Sequence, residues 1–273
     1  ARRRIKIVRK YLHSNSQIQR IVVKGASLEL IAAKRAGISE RIYISDTEVN
    51  HIAHRIAKRY ATEILLPKSW KKEISDSIAS DSRVRRYSGI LPEVYVDIPA
   101  GKSVRKQAIS QIREGIQSTS ETISDAPVIF HRLIHGGGIH DDSELINYDY
   151  WIKDLPVHFV HTKESALEST DAAWEIPTQI AMFDGVLTGS TTLASEAVIQ
   201  GIPTLLISRA ERGFLDDIEH RFPRTLFRWK SLDRSGIDEI FKSWIQSIIE
   251  QESRTQSIHN NRSELEELIG PIF

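Results

Sequence analysis

Residues 184–208, Asp-Gly-Val-Leu-Thr-Gly-Ser-Thr-Thr-Leu-Ala-Ser-Glu-Ala-Val-Ile-Gln-Gly-Ile-Pro-Thr-Leu-Leu-Ile-Ser, constrain the fold more than any other stretch. They read as a buried strand, a hydroxyl-rich turn, a helix with an inward Glu, a Gly-Xaa-Pro break and a second buried strand. Strands joined through a helix run parallel, since antiparallel neighbours need only a short turn. The first turn of the helix leaves backbone N–H groups unpaired and carries the positive end of its dipole, so the unit has a ready anion site. Gly189 permits close approach of the backbone, and Ser190, Thr191 and Thr192 add hydroxyl donors. Glu196, one to two turns further on, is placed to accept hydrogen bonds from a sugar diol. An ordinary core unit with Ser190 as a helix cap accounts for the same pattern.

The rest of the chain repeats that alternation, which predicts an α/β fold with mainly parallel strands. In the first half, strands are expected at Ile18–Val23, Arg41–Ser45, Glu63–Leu66 and Arg83–Tyr87. Helical spacing follows Leu28 up to Gly37 and runs over Glu48–Tyr60. Asp97–Lys106 turns polar and contains Pro and Gly, and serves as the linker between a domain of residues 1–98 and one of residues 99–273. Beyond it come a helix over Val104–Gln117, a strand over Pro127–Arg132, a helix near Asp142–Trp151 and a strand over Val157–His161. Phe214–His220, Thr225–Trp229 and the amphipathic Ile237–Glu250 complete the pattern. A chain of 273 residues has room for two such domains.

A formal charge of +1 gives no global case for nucleic acid. The local run Arg2-Arg3-Arg4 with Lys6, Arg9 and Lys10 attracts phosphate or a membrane surface in peripheral contact. Alternatively it is the solvated face of a helix whose Ile5, Val8 and Leu12 point inward. No cysteine is present, which removes disulfides and thiolate metal sites. No apolar run approaches the ~20 residues of a membrane span, and no signal-peptide core opens the chain. A cytoplasmic protein is the expectation.

Two further segments carry candidate chemistry. His131-Arg132-Leu133-Ile134-His135-Gly136-Gly137-Gly138-Ile139-His140-Asp141-Asp142 follows an apolar strand, where open α/β sheets bind ligands. Amides of Gly136, Gly137 and Gly138 can face a phosphate or sugar there, and Arg132 can meet a diphosphate with a charge-assisted bond. A flexible glycine turn beside a solvated Arg is the alternative. An esterase oxyanion loop is excluded by the absence of Gly-Xaa-Ser-Xaa-Gly, and neither dinucleotide nor Walker glycine patterns occur. A metal held by His131, His135 and His140 is disfavoured, because a strand followed by three glycines does not set helical ligand spacing. In the first half, Asp46, Glu48 and His51 lie between a strand and a helix. They are candidates to orient or deprotonate an acceptor hydroxyl, unless Asp46 or Thr47 simply caps the helix.

Together these residues resemble the GT-B nucleotide-sugar glycosyltransferase superfamily, which includes the UDP-N-acetylglucosamine 2-epimerases. More closely, the chain resembles the largely archaeal domain-of-unknown-function family 354. The likeness rests on Ile44-Ser45-Asp46-Thr47-Glu48, on Ile64-Leu65-Leu66-Pro67, on Arg86-Tyr87-Ser88-Gly89-Ile90 through Tyr95, and on Asp184–Thr192 through Pro203. It implies two Rossmann-like domains facing across a cleft, the first incomplete because its opening strand and glycine-rich loop are expected upstream. It implies a UDP-linked sugar as substrate, no separate cofactor or metal, and a glycan or lipid acceptor. The diphosphate falls to Gly189, Ser190, Thr191 and Thr192, the ribose to Glu196. A 2-epimerase and a non-catalytic nucleotide-binding module are the alternatives. The last helix, around Leu265–Ile269, is expected to return to the first domain.

Overall fold

The computed structural model describes residues 1–96, 126–133, 155, 157–163, 171–230, 236–250 and 259–269. The chain falls into two compact units. Unit 1 comprises Ala1–Val94 with Arg212–Asp217 and His259–Phe273, and unit 2 comprises Tyr95–Glu211 with Ile218–Ile258. Both are α/β with parallel strands.

Unit 1 opens with α1 (Arg2–Ser14), β1 (Arg20–Lys24), α2 (Leu28–Ala36), β2 (Glu40–Ile44), α3 (His51–Tyr60) and β3 (Glu63–Pro67). The short α4 (Asp76–Ala79), β4 (Val84–Tyr87) and the short α5 (Pro92–Tyr95) follow. The four strands lie side by side in chain order, β1-β2-β3-β4, every pair parallel. Gly37 ends α2 in the left-handed region (φ 83°), the helix terminus glycine tolerates best. α3 starts later than its apolar spacing suggests, because Thr47–Val49 turns first and Asn50 Oδ1 accepts from Ala53 N. The cap is therefore Asn50, not Asp46 or Thr47. Val23, Leu30, Tyr43, Ala53, Ala57, Ile64, Leu66 and Trp70 form the main core between sheet and helices. Leu12 of α1 packs with Ala33 and Ile38 in a smaller cluster, with Val8 partly buried against it.

Unit 2 contains β5 (Val128–Leu133), β6 (His158–Lys163), α6 (Asp171–Ile180), β7 (Gly185–Thr188), α7 (Thr191–Ile199) and β8 (Thr204–Ile207). α8 (Gly213–Arg221), β9 (Leu226–Trp229), α9 (Ile237–Ile249) and α10 (His259–Ile269) complete the chain. Of these, α10 belongs to unit 1, as expected for the last helix, and so does the first part of α8, Gly213–Asp217. The expected helices at 104–117 and 142–151 lie outside the described residues. The five strands are all parallel in the order β6-β5-β7-β8-β9. Alternate residues face opposite layers. Ile129, Leu187, Leu205 and Trp229 meet Ile237, Phe241, Trp244 and Ile248 of α9. Val128, Phe130 and Val186 meet Ile180, Phe183, Leu193 and Ala197 on the other side.

α9 buries Ile237, Phe241, Trp244 and Ile248, the three-and-four spacing of one helical face. Trp244 Nε1 also donates to Pro203 O at 3.0 Å, so the buried indole keeps a hydrogen bond. Gly185 lets α9 sit close to the sheet: a Cβ there would stand 2.6 Å from Ile248 Cδ1. Among the described residues, no helix is long and apolar enough to cross a membrane.

Candidate functional site

The strand order of unit 2 determines where a ligand can bind. The chain runs from β5 outward to β6, then crosses back to place β7 on the other flank of β5. Connections therefore leave β5 and β7 toward opposite sides of the sheet, the topology at whose strand ends open α/β sheets bind ligands. Arg132 and Thr188 are register partners at those ends. Gly189, Ser190, Thr191 and Thr192 follow β7, and Gly136, Gly137 and Gly138 follow β5 but lie outside the described residues.

The turn is built by its own hydroxyls. Thr188 Oγ1 donates to Arg132 O (3.3 Å) and accepts from Ser190 N (3.0 Å), clasping the two strand ends. Ser190 Oγ accepts from Leu193 N at 3.3 Å and caps α7. The amides of Thr191 and Thr192 make no hydrogen bond to the described residues, as expected for a first helical turn. Thr192 is exposed; Gly189, Ser190 and Thr191 are half-buried. One turn beyond Thr192 on the same face, Glu196 is 8% exposed and its Oε1 accepts from Tyr95 Oη at 2.6 Å. Cap, free amides and carboxylate are thus arranged on one element.

Sequence gave Tyr95 no chemical role. It lies 101 residues from Glu196, and no local pattern encodes such a pair. Nor does any local pattern encode the pairing of His131, whose Nδ1 lies 2.6 Å from Nδ1 of His161 on the neighbouring strand. One ring must donate and the other accept, so both nitrogens are committed to each other. Among the described residues, no three His, Asp or Glu side chains converge as metal ligands.

Unit 1 presents a different kind of centre at the carboxyl ends of β2–β4. Glu48 is fully buried. Its Oε1 accepts from Lys71 N and Gly213 N, each at 3.0 Å, while Oε2 is buried without a hydrogen-bond partner among the described residues. Gly213 is required there, since a Cβ would lie 1.7 Å from Ser69 O. Tyr87 buries its hydroxyl without a partner among the described residues. Burial first, then the charges of Asp46, Glu93 and Glu48, push its pKa well above the ordinary tyrosine value. Tyr43 is pushed up to about 12, chiefly by burial, with the nearby Ser45 hydroxyl opposing the rise and the charge of Asp46 adding to it.

His54 stands between Ser45 Oγ and Ser75 Oγ, each 3.4 Å from a ring nitrogen. Burial, then the proximity of His51, lowers its pKa to about 4, so it is neutral at physiological pH. Asp46 Oδ2 pairs with Lys24 Nζ at 3.3 Å, and His51 is exposed at the start of α3. Asp46, Glu48 and His51 therefore do not converge as equivalents: one is ion-paired, one holds two backbone amides, and one faces solvent.

No family model matches the chain. No curated protein sequence matches it either.

Proposed function

We infer that unit 2 binds the nucleotide of a UDP-linked sugar, and that the chain is a GT-B-like protein of the glycosyltransferase type. The reading rests on the β5/β7 switch point, where an α7 N-terminus with two free amides stands beside Arg132. Backbone amides and the helix dipole favour a diphosphate there without a metal. Arg132 supplies a positive charge at the same strand ends. Glu196 is at the right distance along α7 to accept from ribose hydroxyls once the phosphates lie at the cap. In glycosyl transfer the same amides would meet the charge that develops on the leaving diphosphate. The sugar would then pass to a glycan or lipid acceptor.

Nucleotide binding without transfer is the second reading, favoured by the state of Glu48. Its Oε1 anchors the backbone at Lys71 N and Gly213 N, a structural role for the carboxylate.

Titration calorimetry with UDP, wild type against Glu196→Ala, tests the assignment. Loss of the diol contact should weaken binding by about 1–3 kcal/mol, and UMP should bind less tightly than UDP to both proteins. Equal UDP affinities in the two proteins would remove Glu196 from the site. No UDP binding by the wild type would remove the site itself.

A further inference from the structure

Helix α1 carries a surface that nucleotide binding does not use. Its thirteen residues contain Arg2, Arg3, Arg4, Lys6, Arg9 and Lys10 and no acidic side chain. Arg4 pairs with Glu29. Among the described residues, Arg2, Arg3, Lys6, Arg9 and Lys10 make no ion pair. The inward stripe is Ile5, Val8 and Leu12, of which Leu12 is 5% exposed.

The opposite face is not simply polar. Ile7 is 58% exposed and Tyr11 is 62% exposed, and they stand one turn apart. Ile7 has Arg3 and Arg4 one turn before it, and Lys10 and Tyr11 one turn after it. An aliphatic and an aromatic side chain among cations that, apart from Arg4, make no ion pair with the described residues match an interfacial helix. The apolar tips enter the boundary of the acyl chains while Lys and Arg reach anionic headgroups.

We propose that the outer face of α1, with Ile7 and Tyr11 at its centre, docks this protein on an anionic lipid surface. Charge complementarity selects the partner, since each Lys or Arg near such a surface contributes about fivefold in partitioning. Ile7 and Tyr11 select lipid over nucleic acid, because a phosphodiester backbone offers an exposed isoleucine nothing to bury against. The contact is peripheral. A helix of thirteen residues is about 20 Å long and lies in the interface instead of crossing it.

The test is flotation of the full chain with vesicles of pure phosphatidylcholine or of equal parts phosphatidylcholine and phosphatidylglycerol. Binding is expected to the anionic vesicles alone and should fall as salt rises. Arg3→Glu with Lys10→Glu should weaken it about a hundredfold or more. Ile7→Ser with Tyr11→Ser should weaken it about tenfold at unchanged net charge, with an unaltered melting temperature because both sites are exposed. The chain has no cysteine, so Ile7→Cys carrying an environment-sensitive dye reports insertion directly. A blue shift with anionic vesicles, absent with duplex DNA or RNA at matched phosphate, supports the proposal. Three results would overturn it: equal flotation with both vesicle types, unchanged binding by the double serine variant, or tighter binding to nucleic acid.

Discussion

Units 1 and 2 repeat the same strand–helix step, yet they wind it differently. In unit 1 each described strand is laid beside the previous one, β1-β2-β3-β4, so every connection moves across the sheet in one direction. In unit 2 the order β6-β5-β7-β8-β9 reverses once, between β5 and β7. A reversal parts adjacent loops and opens a crevice at the strand ends. The carboxyl ends of the unit 1 strands are instead packed with buried polar groups: Glu48, His54, Tyr87 and Glu93. Parallel sheets thus present their carboxyl ends in two ways, and the winding differs between the two units.

Paired substitutions can break this contrast. The largest effect is expected at glycines. Gly213→Ala drives a Cβ into the backbone carbonyl of Ser69 and should cost more than about 3 kcal/mol, at the top of the overpacking range. Gly185→Ala meets the movable tips of Ile248 and Ile129 and should cost about 1–2 kcal/mol. Urea unfolding of both variants gives the order, and an equal cost would mean that the Ser69 contact can yield.

Next comes Glu48. Glu48→Ala leaves the amides of Lys71 and Gly213 buried and unpaired, an expected loss of about 3 kcal/mol. Glu48→Gln keeps an acceptor oxygen and should lose about 1 kcal/mol. If Glu48→Ala melts like the wild type while turnover disappears, the residue is a chemical group and not an anchor.

A smaller effect should appear with pH. The unfolded chain protonates His54 near 6.5, whereas the folded one does so only near 4. Between these values the unfolded state binds more protons, so stability falls as pH drops from about 6.5 to about 4 and is whole above that window. Allowing for solvent screening, the loss is about 2 kcal/mol. His54→Gln should flatten that slope in denaturation midpoints measured across the window. An unchanged slope would show that other groups carry it.

The smallest effects distinguish the two helix caps. Asn50→Ala and Ser190→Ala should each cost about 1 kcal/mol of stability. Of the two, Ser190→Ala should also weaken UDP, because only its helix begins at the switch point. If both substitutions weaken UDP equally, the contrast between the units is lost.

Much of the fold was legible along the chain. The nine described strands were located to within a few residues; β3, β7 and β8, buried on both faces, read as continuous runs of strand-forming residues, whereas the edge strands β1 and β4 carry Arg or Lys. The 237–249 helix announced itself through its single apolar face. α6 escaped notice because Pro177 interrupts it, and α4 and α5 are too short for a periodic signal. At the candidate site, Ser190 as a cap followed from its place between a strand and a helix. The different fates of Asp46, Glu48 and His51 did not, since three polar residues in one loop look alike until their neighbours are known.

Sequence by itself determined the α/β class, the Ser190 cap with its free amides, and the basic face of α1, all properties of residues close along the chain. Tertiary structure decided the rest. It reversed the strand order beside β5, brought Tyr95 to Glu196, and gave Glu48 the amides of Lys71 and Gly213. Local pattern can specify a helix or a strand because hydrogen bonding and side-chain period act within a few residues. Which strand ends become neighbours depends on how whole layers bury their apolar faces, and that balance is struck only when the chain has closed on itself.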